Sequence, residues 1–548
     1  MTALLEFISG LLEGLGLLAV AVSIGGVAYV LCVLRVAGRP TPIMQTAAEQ
    51  SLRAIALAGG VLAVLRCARL TFKWVELGGG TDDLGIGAFV DTQMFHAGLL
   101  SALLAAGLAV AALWVRRNPN RRRRWTALVL TGGMFMVNEA WLSHAASRVE
   151  GAGLLMTVTL AHVLGATVWA GGIMHLLLFW RWARRDPQAA ASWPELVSRF
   201  SPLGIVSVTL LIAPGLYLAW RYLGDWGGLV GTSYGNLLVV KIVLFAGVLV
   251  LARFNFWATR RWRQTGDSLV LAQRVPAYIE VELVLASALL FTAATLASFP
   301  PAADLLNDRV SSADMWRMFN PKVPHLGGPE IIHIEAPEQT DMQTGRIGQQ
   351  GSLSWDRFNH NMSGVIVASM ALVALLNRIG GVPWARHWPL LFIAFSVLIF
   401  VFSNPTEWPL GQLGFRESLQ NAEVVQHWLA AIVVLGLGWF EWRARLGKFA
   451  NQNLRYVFPV LCIVGGIILL THSHDISEVR QEFLAQSTHV AMGALAVIMG
   501  CSRWLELRFA SPQNRMAAVI SLASMLLVGF ILMFYVDPED LATWSKLK

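Results

Sequence analysis

The chain of 548 residues is 55% hydrophobic and only 14% charged, which is too apolar for an ordinary soluble surface. Its formal charge of +8 comes from arginines clustered between apolar runs, a pattern that marks membrane orientation and argues against a nucleic-acid partner. The four cysteines (Cys32, Cys67, Cys462 and Cys501) stand in apolar segments without a Cys-x-x-Cys, so most of them read as packing residues, with no disulfide framework. Runs of roughly 18 to 28 apolar residues, each able to cross a ~30 Å hydrocarbon core, recur about fourteen times. They fall near 10–34, 49–71, 94–116, 125–145, 153–180, 200–222, 236–258, 277–299, 360–378, 387–403, 421–442, 456–472, 485–505 and 515–535. The fold class is therefore all-α, a polytopic transmembrane helix bundle of about 14 spans in a lipid bilayer.

Alternate loops carry the basic residues. They include Arg35, Arg39 and Arg53, the run Arg121 to Arg124, then Arg181, Arg184 and Arg185, and Arg260, Arg261 and Arg263. Such loops are expected in the cytoplasm, which places the intervening loops and both termini on the periplasmic side. Arg66, Arg69 and Lys73, at the outer end of the second run, break this pattern. The opening residues Met1 to Glu13 include no basic residue and hold Glu6 and Glu13, so they read as part of an uncleaved first helix. The segment 300–358, rich in Pro, Gly and acidic residues, is the periplasmic linker between a membrane half at 1–299 (eight helices) and another at 359–548 (six helices), with a short helix expected at Ala313 to Phe319.

Most of the twelve histidines fall at or near the outer surface in this topology. In the first half these are His96, which opens the third run behind Met94, His144, which ends the fourth beyond Glu139, and His162, part of the way into the fifth. Imidazole with thioether suits copper, and thioether favours Cu(I). His162, Ala166, Trp169 and Gly172 recur on one helical face, where the small residues permit close approach of a neighbour. Glu139 and Glu423 are carboxylates in or near hydrocarbon, each requiring a metal, a proton or an arginine as partner.

The second half gathers Glu423 and His427 at i, i+4 near the polar link Thr471 to His489. That link holds His472, His474 and His489 among the carboxylates Asp475, Glu478 and Glu482. An extended His-x-His turns both rings toward one ion, while Glu478 and Glu482 share a helical face; this imidazole and carboxylate set suits Cu(II) or Zn(II). The plain alternative is an interfacial loop whose polar residues meet water. Paired histidines on neighbouring helices, such as His144 with His162 or His427 with His489, are also the axial ligands that a b-type haem would take.

From about 161 to 304 the chain resembles the CopD (PcoD) family of bacterial copper-resistance membrane proteins. The carrying stretches are His162 to Gly172, Arg199-Phe-Ser-Pro-Leu203, Gly231-Thr-Ser-Tyr-Gly235 with Lys241 beyond it, and Val281-Glu-Leu followed by Ala297 to Ala302. Phe358 to Gly364 and the Thr471 to His489 link look like parts of a longer form with extra C-terminal helices. The resemblance implies a multi-pass protein of the bacterial inner membrane that handles or transports copper as Cu(I) or Cu(II), beside a periplasmic copper-binding protein and without an enzymatic reaction. Pro214-Gly215 departs from the expected pattern and predicts a kink in the sixth helix. The chain has neither a P-loop nor an Asp-Lys-Thr-Gly run, so no nucleotide is expected and an ion or copper gradient would drive movement. The alternatives are a b-type haem electron carrier and an accessory subunit of a membrane complex.

Overall fold

The computed structural model describes residues 2–35, 41–77, 85–143, 151–327, 347–404, 407–411, 413–419, 421–471 and 479–536. Among the described residues there is no strand, and each apolar run of the sequence falls on helix over most of its described length. The first half supplies α1 (Thr2–Val20), α2 (Pro42–Glu76), α3 (Gln93–Arg117), α4 (Arg122–Trp141), α5 (Ala152–Ala183), α6 (Trp193–Leu223), α7 (Ser233–Thr265) and α8 (Val275–Leu296). The second supplies α9 (Ile347–Gly380), α10 (Leu391–Val401), α11 (Ala422–Arg445), α12 (Val457–Thr471), α13 (Val479–Arg508) and α14 (Asn514–Met533). The short helix expected in the linker is present as Ser312–Phe319.

Twelve helices among the described residues are long and apolar enough to cross a membrane; Arg122–Trp141 and Ala422–Arg445 are not among them. The protein is thus an all-α, multi-pass membrane bundle. Leu57, Val110, Leu216 and Ile432 are each more than half exposed, an outward apolar surface that water would penalise and lipid accommodates. Cys462 and Cys501 are buried packing residues as expected, whereas Cys32 and Cys67 lie on the surface.

The chain divides into two compact units, one built from Met1–Asn307 and the other from most of residues 308–548. In the first, α2 packs on α3, α5 on α6, α7 on α8, and α1 on both α2 and α8. Threonines start several of these helices: the side chains of Thr41, Thr92 and Thr232 accept hydrogen bonds from the free backbone N–H groups of Met44, Phe95 and Gly235. Beyond α1 the chain remains helical but widens into π-turns at Ala21–Gly25 and Val30–Leu34. There it lies backbone to backbone on α5: a Cβ on Gly171 would fall 1.8 Å from the Ala21 carbonyl oxygen. In the second unit, Met370, Ala374, Trp388, Phe392, Phe458 and Met525 form a core that joins α9, α10, α12 and α14.

Candidate functional site

The first unit encloses polar groups where hydrocarbon would otherwise be expected. Their arrangement begins on α5. Gly165 and Gly172 of α5 sit against α6, where added Cβ atoms would meet the Ser207 carbonyl at 2.7 Å and the Phe200 ring at 2.4 Å. Trp169 turns edge-on to Phe245 of α7, with ring centroids 6.4 Å apart. The face that carries His162, Trp169 and Gly172 is therefore the one that meets α6 and α7, and its small residues set the close approach.

On α6, the helix passes through Pro202 and Pro214 without ending. Pro214 has no N–H to give Leu210, and its ring opens the preceding turn. In that turn the Leu211 carbonyl accepts a hydrogen bond from Nδ1 of His162, 2.8 Å away. Gly215 makes room for the ring, because a Cβ there would lie 2.9 Å from His162 Cε1 and 3.0 Å from Nδ1. A carbonyl can only accept, so the His162 proton resides on Nδ1 and the Nε2 lone pair is left for a metal ion or a proton. Lys241 of α7 acts electrostatically on the same imidazole. This positive charge opposes a second cation at His162 and attracts an anion.

His175, further along α5, repeats the device. Its Nε2 donates to the Val22 carbonyl in the first π-turn at 2.9 Å, its ring stacks on Tyr29, and its buried Nδ1 has no hydrogen-bond partner. In both cases a neighbouring helix whose hydrogen bonding is irregular holds one ring nitrogen and leaves the other as a lone pair.

A second polar centre ties four helices together. Arg66 of α2 is 5% exposed, and it reaches Glu13 of α1 at 3.1 Å and Glu139 of α4 at 2.5 Å. Arg69 also pairs with Glu13, and the Ser101 hydroxyl of α3 donates to Glu139 at 2.7 Å. Glu139 therefore takes an arginine as its partner, and the arginines that break the charge pattern are those that neutralise the buried carboxylates. A third centre, at α7 and α8, consists of Glu282 and Asn255, 2.7 Å apart.

The residues proposed from sequence as metal ligands fall into three groups. His96 is exposed at the start of α3 beside the edge of Phe95, and His162 lies at the site above. His427 and His489 are half-buried in α11 and α13. His144, His472, His474 and Glu478 lie outside the described residues, as do the side chains of Glu423 and Glu482. Among the described residues, no three His, Cys, Asp or Glu side chains lie together in a way that could hold a metal ion. Sequence reading missed Asn255 and Ser101, which are polar residues on apolar helices with no motif around them.

Comparison with known proteins bears on the segment that carries these groups. Residues 194–296 match the family described as copper resistance protein D, CopD. The copper transport protein CutJ of Bacillus subtilis (strain 168) is 33% identical over 177 residues, which cover 32% of this chain and 31% of that protein. The match thus spans about a third of the curated relative's length. No solved structure matches the chain. The family segment begins after α5, so it contains Leu211, Gly215, Lys241, Asn255 and Glu282, whereas His162 lies before it. The CopD match thus falls on residues 194–296, which build α6 to α8, and the similarity to that family is confined to this segment.

Proposed function

We propose that this protein moves copper across the bacterial inner membrane, with His162 as an intramembrane station for the ion. The observation that carries this reading is the His162 imidazole, whose Nδ1 is held by the Leu211 carbonyl of the CopD segment, which leaves the Nε2 lone pair free of that contact. A neutral imidazole binds either Cu(I) or Cu(II), and one such ligand holds the ion weakly enough to release it. Copper is the cargo, and no catalytic step is assigned to the chain.

Capture belongs to the outward-facing groups of the sequence reading: His96 and His144 in the first unit, and Glu423, His427, His472, His474, Glu478, Glu482 and His489 in the second. A periplasmic copper-binding protein would deliver to them. Copper uptake by sealed proteoliposomes of known protein orientation tests the reading. Wild-type vesicles are expected to accumulate copper and His162→Ala vesicles to lose most of that flux. Equal flux from the two would remove His162 from the path, and no flux above empty vesicles would reject transport. Replacing His472, His474 and His489 together by Ala is expected to raise the copper concentration needed for half-maximal uptake and to leave the maximal rate in place.

A further inference from the structure

Glu282 is 4% exposed, seven residues into α8, and its side chain faces α7. A carboxylate at such a place normally has a cation beside it, as Glu139 has Arg66. Glu282 has none. α8 packs on α7, α1 and α5, and no charged group among the described residues acts on Glu282. On α7, Arg253 and Arg260 lie over Trp257, Arg261 pairs with Asp267, Arg263 binds Ser198, and Lys241 acts on His162. Glu13 of α1 holds Arg66 and Arg69, and on α5 His162 and His175 are bound to Leu211 and Val22. On α8 itself, Tyr278 stacks on Phe254. The side chain that acts on Glu282 is the neutral amide of Asn255.

The amide supplies the second half of the argument. Asn255 Nδ2 donates to Glu282 Oε1 at 2.7 Å, while Asn255 Oδ1 is buried without a hydrogen-bond donor. A buried amide oxygen left unpaired is unfavourable and needs an explanation. A proton on the second oxygen of Glu282 is the missing donor, because a carboxylic acid and an amide pair reciprocally through two hydrogen bonds. The same proton removes the uncompensated negative charge from the bundle.

We propose that Glu282 and Asn255 form an intramembrane proton-binding site, with Glu282 protonated at neutral pH and its acid hydrogen donated to Asn255 Oδ1. The site lies between two helices of the CopD segment, in a chain without an ATP-binding motif. A dissociable proton held there is the chemistry through which a gradient can be coupled to passage of an ion.

Infrared spectroscopy of purified, copper-free protein carrying 13C-labelled glutamate tests the site. At neutral pH the wild type is expected to show a carboxylic-acid C=O band that Glu282→Gln lacks, and identical acid bands in the two would overturn the proposal. Should Glu282→Gln fail to fold, Asn255→Ala serves instead. It leaves the acid but removes its partner, so the band is expected to move to higher frequency, and an unmoved band would overturn the pairing. Because no copper is present, the outcome is independent of whether the protein carries copper.

Discussion

Arg66 and Glu139 meet at 2.5 Å between α2 and α4, 73 positions apart in the chain. Removing one member of a buried pair leaves the other charge unpaired in a medium that solvates it poorly, at a cost of about 3–5 kcal/mol. Arg66→Met leaves Glu139 only the Ser101 hydroxyl and leaves Glu13 only Arg69. It is expected to lower the thermal unfolding midpoint in detergent sharply. The double variant Arg66→Met with Glu139→Gln removes both charges and is expected to recover a large part of the loss. A double variant no more stable than the single one would show that the pair does not carry this part of the bundle.

The His162 contact predicts a tautomer. Nitrogen-15 NMR of histidine-labelled protein is expected to show neutral His162 protonated on Nδ1, since that nitrogen faces the Leu211 carbonyl. Gly215→Ala places a methyl group about where the ring now sits, so the Nδ1 signature should be lost while the other histidines keep theirs. An unchanged His162 signal in Gly215→Ala would mean that the ring is positioned by something other than this carbonyl and this gap.

The positive charge of Lys241 gives a prediction of opposite sign to most substitutions at a binding site. One like charge near a cation in a poorly solvated interior is worth about a factor of ten in affinity. Lys241→Met is therefore expected to tighten copper binding by the purified protein roughly tenfold, as read by competition with a chromophoric chelator. Weaker binding would instead identify the ammonium as a group that helps hold the cargo, for instance when copper arrives in an anionic complex.

These three centres show where sequence reading reaches and where it stops. Hydrocarbon thickness alone demands some twenty apolar residues per crossing, so the helices could be placed from residues 10–34 onward without any tertiary information. Arg66 and Arg69 stood out because they broke the charge pattern, and Glu139 because a carboxylate does not belong in an apolar run. That the two anomalies solve each other depends on how α2 and α4 pack, which no local pattern encodes. The face of α5 that meets α6 was legible from the spacing of His162, Trp169 and Gly172. The accessible lone pair on His162 was not, because it is fixed by a carbonyl of another helix. Asn255 carried no signal at all: a single amide on an apolar helix acquires meaning only beside Glu282.

Backbone contact between α5 and the π-turn after α1 yields a last prediction, with an internal control. In an exposed helix position with space around it, Gly to Ala gains up to about 1 kcal/mol by restricting the unfolded chain and improving helix propensity. Gly133 of α4 is such a position, with nothing within 4 Å of an added Cβ, and Gly133→Ala is expected to be neutral or slightly stabilising. Gly171 is the opposite case. Its added Cβ would fall 1.8 Å from the Ala21 carbonyl oxygen and 2.9 Å from Gly25 Cα, both backbone atoms that no rotamer change can move aside. Gly171→Ala must therefore push the two helices apart, which also draws Val22 away from His175. The expected result is a large fall in thermal stability in detergent with a changed His175 tautomer signal, against an unchanged or raised midpoint for Gly133→Ala. Equal stability of the two variants would mean that α5 and the π-turn do not approach this closely in the membrane protein.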